Sequence, residues 1–139
     1  MGRISELANK MNKLNFEAMC IQTVLENQKQ AAELNTQQLF QGERADGSEM
    51  PPYSWVSVNF YNKPAGPIRL FDTGAFYSGF IFANATFPLS ITSTDSKTNE
   101  LTGRYGKEIF GLTEENLSGY SKVFILPAVA KKLKDYMGL

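Results

Sequence analysis

The sequence predicts an α+β domain with a long N-terminal helix, an extended arm, a small antiparallel sheet and a C-terminal helix packed on the sheet. Residues 3–41 contain neither Pro nor Gly and repeat apolar residues at intervals of three and four. Turn residues and prolines fill residues 42–67. At 139 residues we expect one domain, 1–139, made of a helix at 1–41, an arm at 42–67 and an α+β core at 68–139.

The N-terminal helix carries an apolar seam with a heptad period. Its members are Ile4, Leu7, Met11, Leu14, Ala18, Ile21, Leu25, Gln28, Ala32, Asn35 and Leu39. A helix over residues 3–38 would be about 50 Å long, whereas the radius of gyration of such a domain is about 14 Å. Either the seam meets another chain or the helix breaks, near Asn12 or between Asn27 and Gln30. Polar Gln28 and Asn35 would then fix the register of an assembly. The predicted subunit interface on this helix is Leu7, Met11, Leu14, Ile21 and Leu25.

The arm combines turn signals with aromatic residues. Ala45-Asp46-Gly47-Ser48 predicts a turn, and Pro51-Pro52 an extended backbone. Such a segment has few local contacts to offset its ordering entropy, and its rings are too apolar for a free loop. We expect it to fold back or to dock on a neighbouring subunit, with Trp55 exposed in the free subunit and buried in the assembly. The interface residues assigned to the arm are Tyr53, Trp55, Phe60 and Tyr61.

The core begins with the segment IRLFDTGAFYSGF at residues 68–80. Asp72 or Thr73 is suited to cap a short helix, and Gly74 permits a close approach or an unusual dihedral angle. Phe76 and Phe80 would fall on one face of that helix. Alternation then predicts strands at residues 80–83 and 87–93.

The rest of the core is predicted to be helical. A short helix over residues 99–105 should stop at Gly106, and Thr113 should cap the next helix. Pro127 should kink the last helix or mark a new first turn. The predicted structural motif residues are Thr73, Gly74, Gly106 and Gly111.

The composition argues against most catalytic chemistry. The formal net charge is +0, no His is present, and the one cysteine, Cys20, fits a small buried apolar residue inside a helix. A Ser-His-Asp triad is therefore excluded. Glu43, Asp46 and Glu49 lack the spacing of a calcium loop and suit a solvated turn. We expect no catalytic residue, no metal and no cofactor, and no apolar run is long enough for a membrane span.

Three lysines of the last helix suit its negative C-terminus and a solvated face. Lys131, Lys132 and Lys134 are also the candidates for contact with DNA in a channel. Aromatic stacking on bases or sugars is the less frequent use of Tyr53, Trp55 and Tyr61, and an interface or core anchor is the expected one.

A collinear series of short features resembles the tail-completion and virion-morphogenesis proteins of tailed bacteriophages, the minor tail proteins of the head–tail neck. The resemblance spans roughly residues 39–137, and no single feature of it is specific. The chain lacks the histidine often found before the last loop and a Pro-x-Arg before Phe110. The residues that carry the resemblance are Asp46-Gly47, Pro52-Tyr53-Ser54, Lys63, Leu70, Thr73-Gly74, Phe76, Phe80, Tyr105-Gly106, Phe110-Gly111 and the terminal helix.

The resemblance implies a structural virion protein rather than an enzyme. Its copies would form a homo-oligomeric ring around the DNA channel, beside other neck and tail proteins and without a membrane partner. Assembly would take place in the host cytoplasm. Two alternatives stay open at this point: an adaptor that docks a partner helix on the heptad seam, and a carboxylate-type cell-wall hydrolase that uses Glu43 or Asp46.

Overall fold

The computed structural model describes residues 2–70, 74–86 and 88–139, and it confirms the α+β class. The helices in these ranges are α1 (Gly2–Lys13), α2 (Phe16–Glu26), α3 (Gln28–Phe40), α4 (Trp55–Phe60), α5 (Ala75–Ser78), α6 (Thr98–Tyr105), α7 (Glu114–Tyr120) and α8 (Leu126–Met137). The strands are β1 (Phe80–Phe82) and β2 (Ile91–Ser93). A 3₁₀ turn at Lys107–Ile109 precedes α7, and a π turn at Ser121–Ile125 precedes α8.

The helical N-terminal stretch is divided into three helices, which corresponds to the second alternative from the sequence, a broken helix. Asn15 begins α2, because its Oδ1 accepts a hydrogen bond from the Ala18 N–H at 3.0 Å. Asn27 ends α2 and begins α3, which confirms the second of the predicted breaks. Asparagine favours helix ends because its side chain bonds nearby backbone groups. The first break, predicted near Asn12, lies at residues 14–15.

Two amides of α3 bind the backbone that leads into α7. Asn35 is 0% exposed; its Nδ2 donates to the Ile109 carbonyl at 3.0 Å and its Oδ1 accepts from the Gly111 N–H at 2.8 Å. Gln38 does the same one turn on, with the Gly111 carbonyl at 3.1 Å and the Thr113 N–H at 2.8 Å. The predicted role of Asn35 in an assembly is therefore wrong, since it fixes the register of α3 against its own chain.

The sheet is a two-stranded antiparallel ribbon. Phe80 pairs with Ser93, and Phe82 pairs with Ile91. The strands are shorter than predicted because Asn84 closes the connection: its Nδ2 donates to the Pro88 carbonyl at 2.8 Å and its Oδ1 accepts from the Ser90 N–H at 3.0 Å. Phe87, assigned to the second strand from the sequence, lies outside the described residues.

Two apolar clusters form the core. The first joins α3, α5 and β1 through Leu39, Met50, Phe76, Phe80 and Ile109. Phe80 begins β1 and is not on the helix of Phe76, so the predicted shared helical face is wrong, although the two rings still meet edge to face at 5.0 Å. The second cluster joins α3, the π turn and α8 through Ala31, Tyr120, Ile125 and Val129, and Cys20 packs against it as an apolar side chain.

The C-terminal helices follow their sequence signals. Gly106 ends α6, and the Thr113 hydroxyl accepts from the Asn116 N–H at 3.3 Å to cap α7. Pro127 lies in the first turn of α8, which confirms the new-turn alternative. Proline fits there because its missing N–H needs no partner in a first turn.

Candidate assembly surfaces

Residues 51–68 form a closed loop, here called the aromatic loop. At its base the Ile68 N–H donates to the Pro51 carbonyl at 2.8 Å, and Pro52 pairs with Pro67. Gly42 supports this base at a φ of +85°, where a Cβ atom would lie 2.4 Å from the Pro67 Cβ. The two ends of the loop are therefore joined to each other, and Pro67 lies against Gly42 of the preceding turn.

The tip of the aromatic loop is ordered by local hydrogen bonds. The Ser54 hydroxyl accepts from the Ser57 N–H at 3.1 Å and so caps α4. The Lys63 N–H donates to the Ser57 carbonyl at 3.1 Å, and Asn62 turns the chain at a φ of +54°. The predicted extended arm thus folds back and contains a short helix. Hydrogen bonds that cap this helix and close the turn after it offset the entropy lost when the loop is ordered.

Three aromatic side chains of this loop point into solvent. Trp55 is 70% exposed, Phe60 68% and Tyr61 70%. The rings of Trp55 and Phe60 meet edge to face at a centroid distance of 5.6 Å. Since a buried aromatic side chain hides about 150–250 Å², the three rings expose roughly 400 Å². Apolar surface of this extent is often a site of interaction.

Tyr53, also assigned to the interface, holds the loop from inside. It is half-buried, and its hydroxyl oxygen accepts from the Arg69 N–H at 3.2 Å. The Lys63 ammonium lies 6.0 Å from the centre of its ring. These contacts fix the direction of the loop and leave three of its four predicted interface residues facing outward.

A second surface is an apolar groove of about 680 Å³ between α2, α3, the sheet and α7. Its floor includes the buried residues Ala31, Tyr120 and Ile125, and its walls include Phe82, Leu112 and Leu117. The Tyr120 hydroxyl donates to the Asn27 carbonyl at 2.9 Å, and burial raises the pKa of Tyr120 to about 12. The sequence does not predict this groove, since its lining combines widely separated segments, although exposed Leu117 on a polar helix is a weak signal of it.

Most of the predicted interface residues on the N-terminal helices are partly buried by their own chain. Met11 is exposed, whereas Leu7, Leu14, Ile21 and Leu25 are half-buried. α1 lies beside α8, and the Tyr136 hydroxyl donates to the Lys10 carbonyl at 3.0 Å. The seam therefore serves the fold of this chain as well as any contact outside it.

The predicted motif glycines have unusual backbone angles. The φ values are +86° at Gly74, +88° at Gly106 and +115° at Gly111, all in the region that favours glycine. A Cβ at Gly111 would also lie 3.1 Å from the Ala45 Cβ. Thr73 lies outside the described residues.

The three lysines of α8 differ in their surroundings. The Lys132 ammonium forms an ion pair with the Glu26 carboxylate at 2.9 Å, which joins α8 to α2. Lys131 and Lys134 are exposed. Of the three candidates for DNA contact, Lys132 would have to exchange this partner for phosphate.

Two of the three acidic residues singled out in the sequence line one surface cleft, and Glu49 does not. Glu43 and Asp46 line it together with Glu114 and Glu115. Hydrogen bonds from the Ser48 side chain and N–H hold the pKa of Asp46 below its ordinary value, so Asp46 stays ionised in its turn. In the described part of the chain, no group of three His, Cys, Asp or Glu residues is placed to hold a metal ion. Nor do these residues include a helix long and apolar enough to cross a membrane.

Comparison with protein-family models, with curated proteins and with solved structures finds no match to this chain. Two surfaces of the described residues remain candidates for a function: the exposed rings of the aromatic loop and the open apolar groove. Both are suited to contact with another macromolecule, since aromatic side chains dominate the free energy of protein interfaces.

Proposed function

We propose that this chain is a structural subunit that assembles with copies of itself through the aromatic loop. The observation that carries the proposal is the exposure of Trp55, Phe60 and Tyr61 on a loop whose base is fixed. A fixed base lowers the entropy that is lost on binding, so a preordered loop binds more tightly than a mobile one with the same rings.

The specific assembly we propose is the ring at the head–tail junction of a tailed bacteriophage. The support for this step is the sequence series between Asp46 and Gly111 that resembles the neck proteins. Identical subunits that pack head to tail close into a ring when the rotation between them divides a full turn. The ring would surround the DNA channel, touch other neck and tail proteins, and be built in the host cytoplasm.

Lys131 and Lys134 are the residues we propose for contact with packaged DNA. Both are exposed on α8. Lysine ammonium groups bind phosphate without regard to base sequence, which suits a channel through which all sequences pass.

The experiment is a concentration series of the purified chain followed by light scattering and by the fluorescence of Trp55, the only tryptophan. We expect the molar mass to rise with concentration, and the emission of Trp55 to shift to the blue and to become protected from a quencher as it does. Electron microscopy of the assembled fraction should show closed rings.

The test variant in the loop is Phe60→Ala. Its matched control is Phe16→Ala, which removes one exposed ring outside the loop. Only the loop variant should lower the molar mass. A wild-type chain that stays monomeric at every concentration, or a loop variant that assembles like Phe16→Ala, would refute the proposal.

Neither alternative from the sequence gains a specific observation. The adaptor needs a continuous heptad seam, but the seam is interrupted at Asn15 and Asn27, and Leu39 is buried within its own chain. The hydrolase needs a carboxyl group that stays protonated as a general acid, and the lowered pKa of Asp46 does not suit Asp46 to that role.

A further inference from the structure

The aromatic loop and the apolar groove belong to different parts of the chain. Ile68, at the end of the loop, packs against the first core cluster. Ala31, Tyr120 and Ile125, on the floor of the groove, belong to the second. No residue of the loop lines the groove among the residues described. A single chain therefore carries an exposed apolar surface and a separate apolar cavity that its own loop leaves open.

The two surfaces match in their chemistry. The loop has no charged residue between Tyr53 and Asn62. The described residues that line the groove include one pair of opposite charges, Lys107 and Glu108, and are otherwise uncharged. Insertion of the loop would thus bring no charge of its own into the groove, where Lys107 is exposed and Glu108 half-buried.

The three rings would supply about half of the surface that one partner buries in a stable protein interface. A stable interface buries about 800 Å² on each partner, and the three rings supply roughly 400 Å² of apolar surface. The loop would be the central anchor, and the surfaces beside it would provide the rest. A groove of about 680 Å³ lies in the range that receives large apolar groups.

We infer that the aromatic loop of one copy inserts into the apolar groove of the next copy, an inference that rests on the proposed self-assembly. Each copy then uses its loop toward one neighbour and its groove toward the other. Such a head-to-tail contact is heterologous and repeats until a ring closes. Trp55 and Phe60 would enter the groove, and Leu117 would cover them from its wall.

The test uses two variants that each lose one half of the contact. Trp55→Ala/Phe60→Ala keeps the groove, and Leu117→Glu keeps the loop while it places a charge at the groove wall. Each variant alone should be monomeric. Their equimolar mixture should form a dimer and nothing larger, because only one loop and one groove remain intact. Light scattering and native mass spectrometry measure both masses.

The matched control for the groove is Leu126→Glu, on a similarly exposed leucine of α8 that does not line the groove. It should assemble like the wild type, whereas Leu117→Glu should raise the apparent dissociation constant at least tenfold. Circular dichroism melts identify any variant that has lost its fold, and Leu117→Gln then replaces Leu117→Glu.

The outcomes separate this inference from the proposal beneath it. If the wild type forms oligomers but the mixture stays monomeric, or if Leu117→Glu assembles normally, the groove is not the receptor of the loop and the inference fails alone. If the wild type is monomeric throughout, the proposed self-assembly fails, and the inference fails with it.

Discussion

Replacement of Asn35 by Ala should destabilise the chain more than any exposed substitution on α3. The side chain is 0% exposed and holds both the Ile109 carbonyl and the Gly111 N–H. Alanine leaves both backbone groups without their partner. The helix would keep its shape, since alanine is a strong helix former. The loss therefore reports the two long-range hydrogen bonds and the small cavity left by the amide.

The expected magnitude follows from the burial of the two backbone groups. Ile109 is fully buried, so its unpaired carbonyl costs about 2–3 kcal/mol, and the half-buried Gly111 N–H costs about 1 kcal/mol. The sum, about 3–4 kcal/mol, is a large share of the roughly 5–15 kcal/mol by which domains are stable. At about 4 °C per kcal/mol for a chain of this size, the melting temperature should fall by about 12–16 °C.

Urea and thermal melts measure the loss, with Thr36→Ala as the control. Thr36 is the next residue of α3, and its hydroxyl donates locally to the Glu33 carbonyl. That change should alter the free energy of unfolding by less than about 0.5 kcal/mol. If Asn35→Ala and Thr36→Ala melt alike, the two amide hydrogen bonds do not hold α3 against residues 109–113.

A second substitution, Asn35→Asp, adds a dependence on pH. The carboxyl group can accept from the Gly111 N–H, but it can donate to the Ile109 carbonyl only when protonated. Burial raises the folded-state pKa of such a group above its ordinary value of about 3.9. Its unfolded form therefore loses the proton first, and stability should fall as the pH rises above about 4. An equal loss at pH 4 and at pH 7 would contradict the reasoning.

Three further predictions concern other parts of the chain. Gly42→Ala should lower the free energy of unfolding more than Gly47→Ala in urea melts. Both glycines have φ near +85°, but only at Gly42 would a Cβ atom contact another residue, Pro67 at the loop base. Equal losses would mean that backbone strain alone causes the destabilisation. Stability should fall as the pH rises from 10 through the raised pKa of Tyr120, about 12, because the folded state keeps a proton that the unfolded state loses. Tyr120→Phe should reduce this pH dependence and should cost about 1 kcal/mol of stability at pH 7. Lys131→Ala/Lys134→Ala should weaken binding to duplex DNA and lower its salt dependence without changing the oligomer, as measured by fluorescence anisotropy, whereas an unchanged salt slope would exclude these lysines from DNA contact.

The local features were largely readable from the sequence. Thr113 caps α7, Gly106 ends α6, and Pro127 lies in the first turn of α8, each as predicted. Such signals depend on hydrogen bonds between residues a few positions apart, and the residue types that form them are few. The same reasoning predicted the α+β class and a break at Asn27.

The long-range partners were decided by the tertiary structure. Asn35 in a heptad pattern is equally suited to a contact between chains and to one within a chain, and its partners lie 74 and 76 residues away. The apolar groove likewise combines α2, α3, the sheet and α7, and no one of these segments encodes its shape. Side-chain type and spacing determine which faces of a helix are apolar, but only the packing of the whole chain determines which of those faces stay open. In this protein the packing leaves the groove beside Leu117 open and the rings of Trp55 and Phe60 exposed.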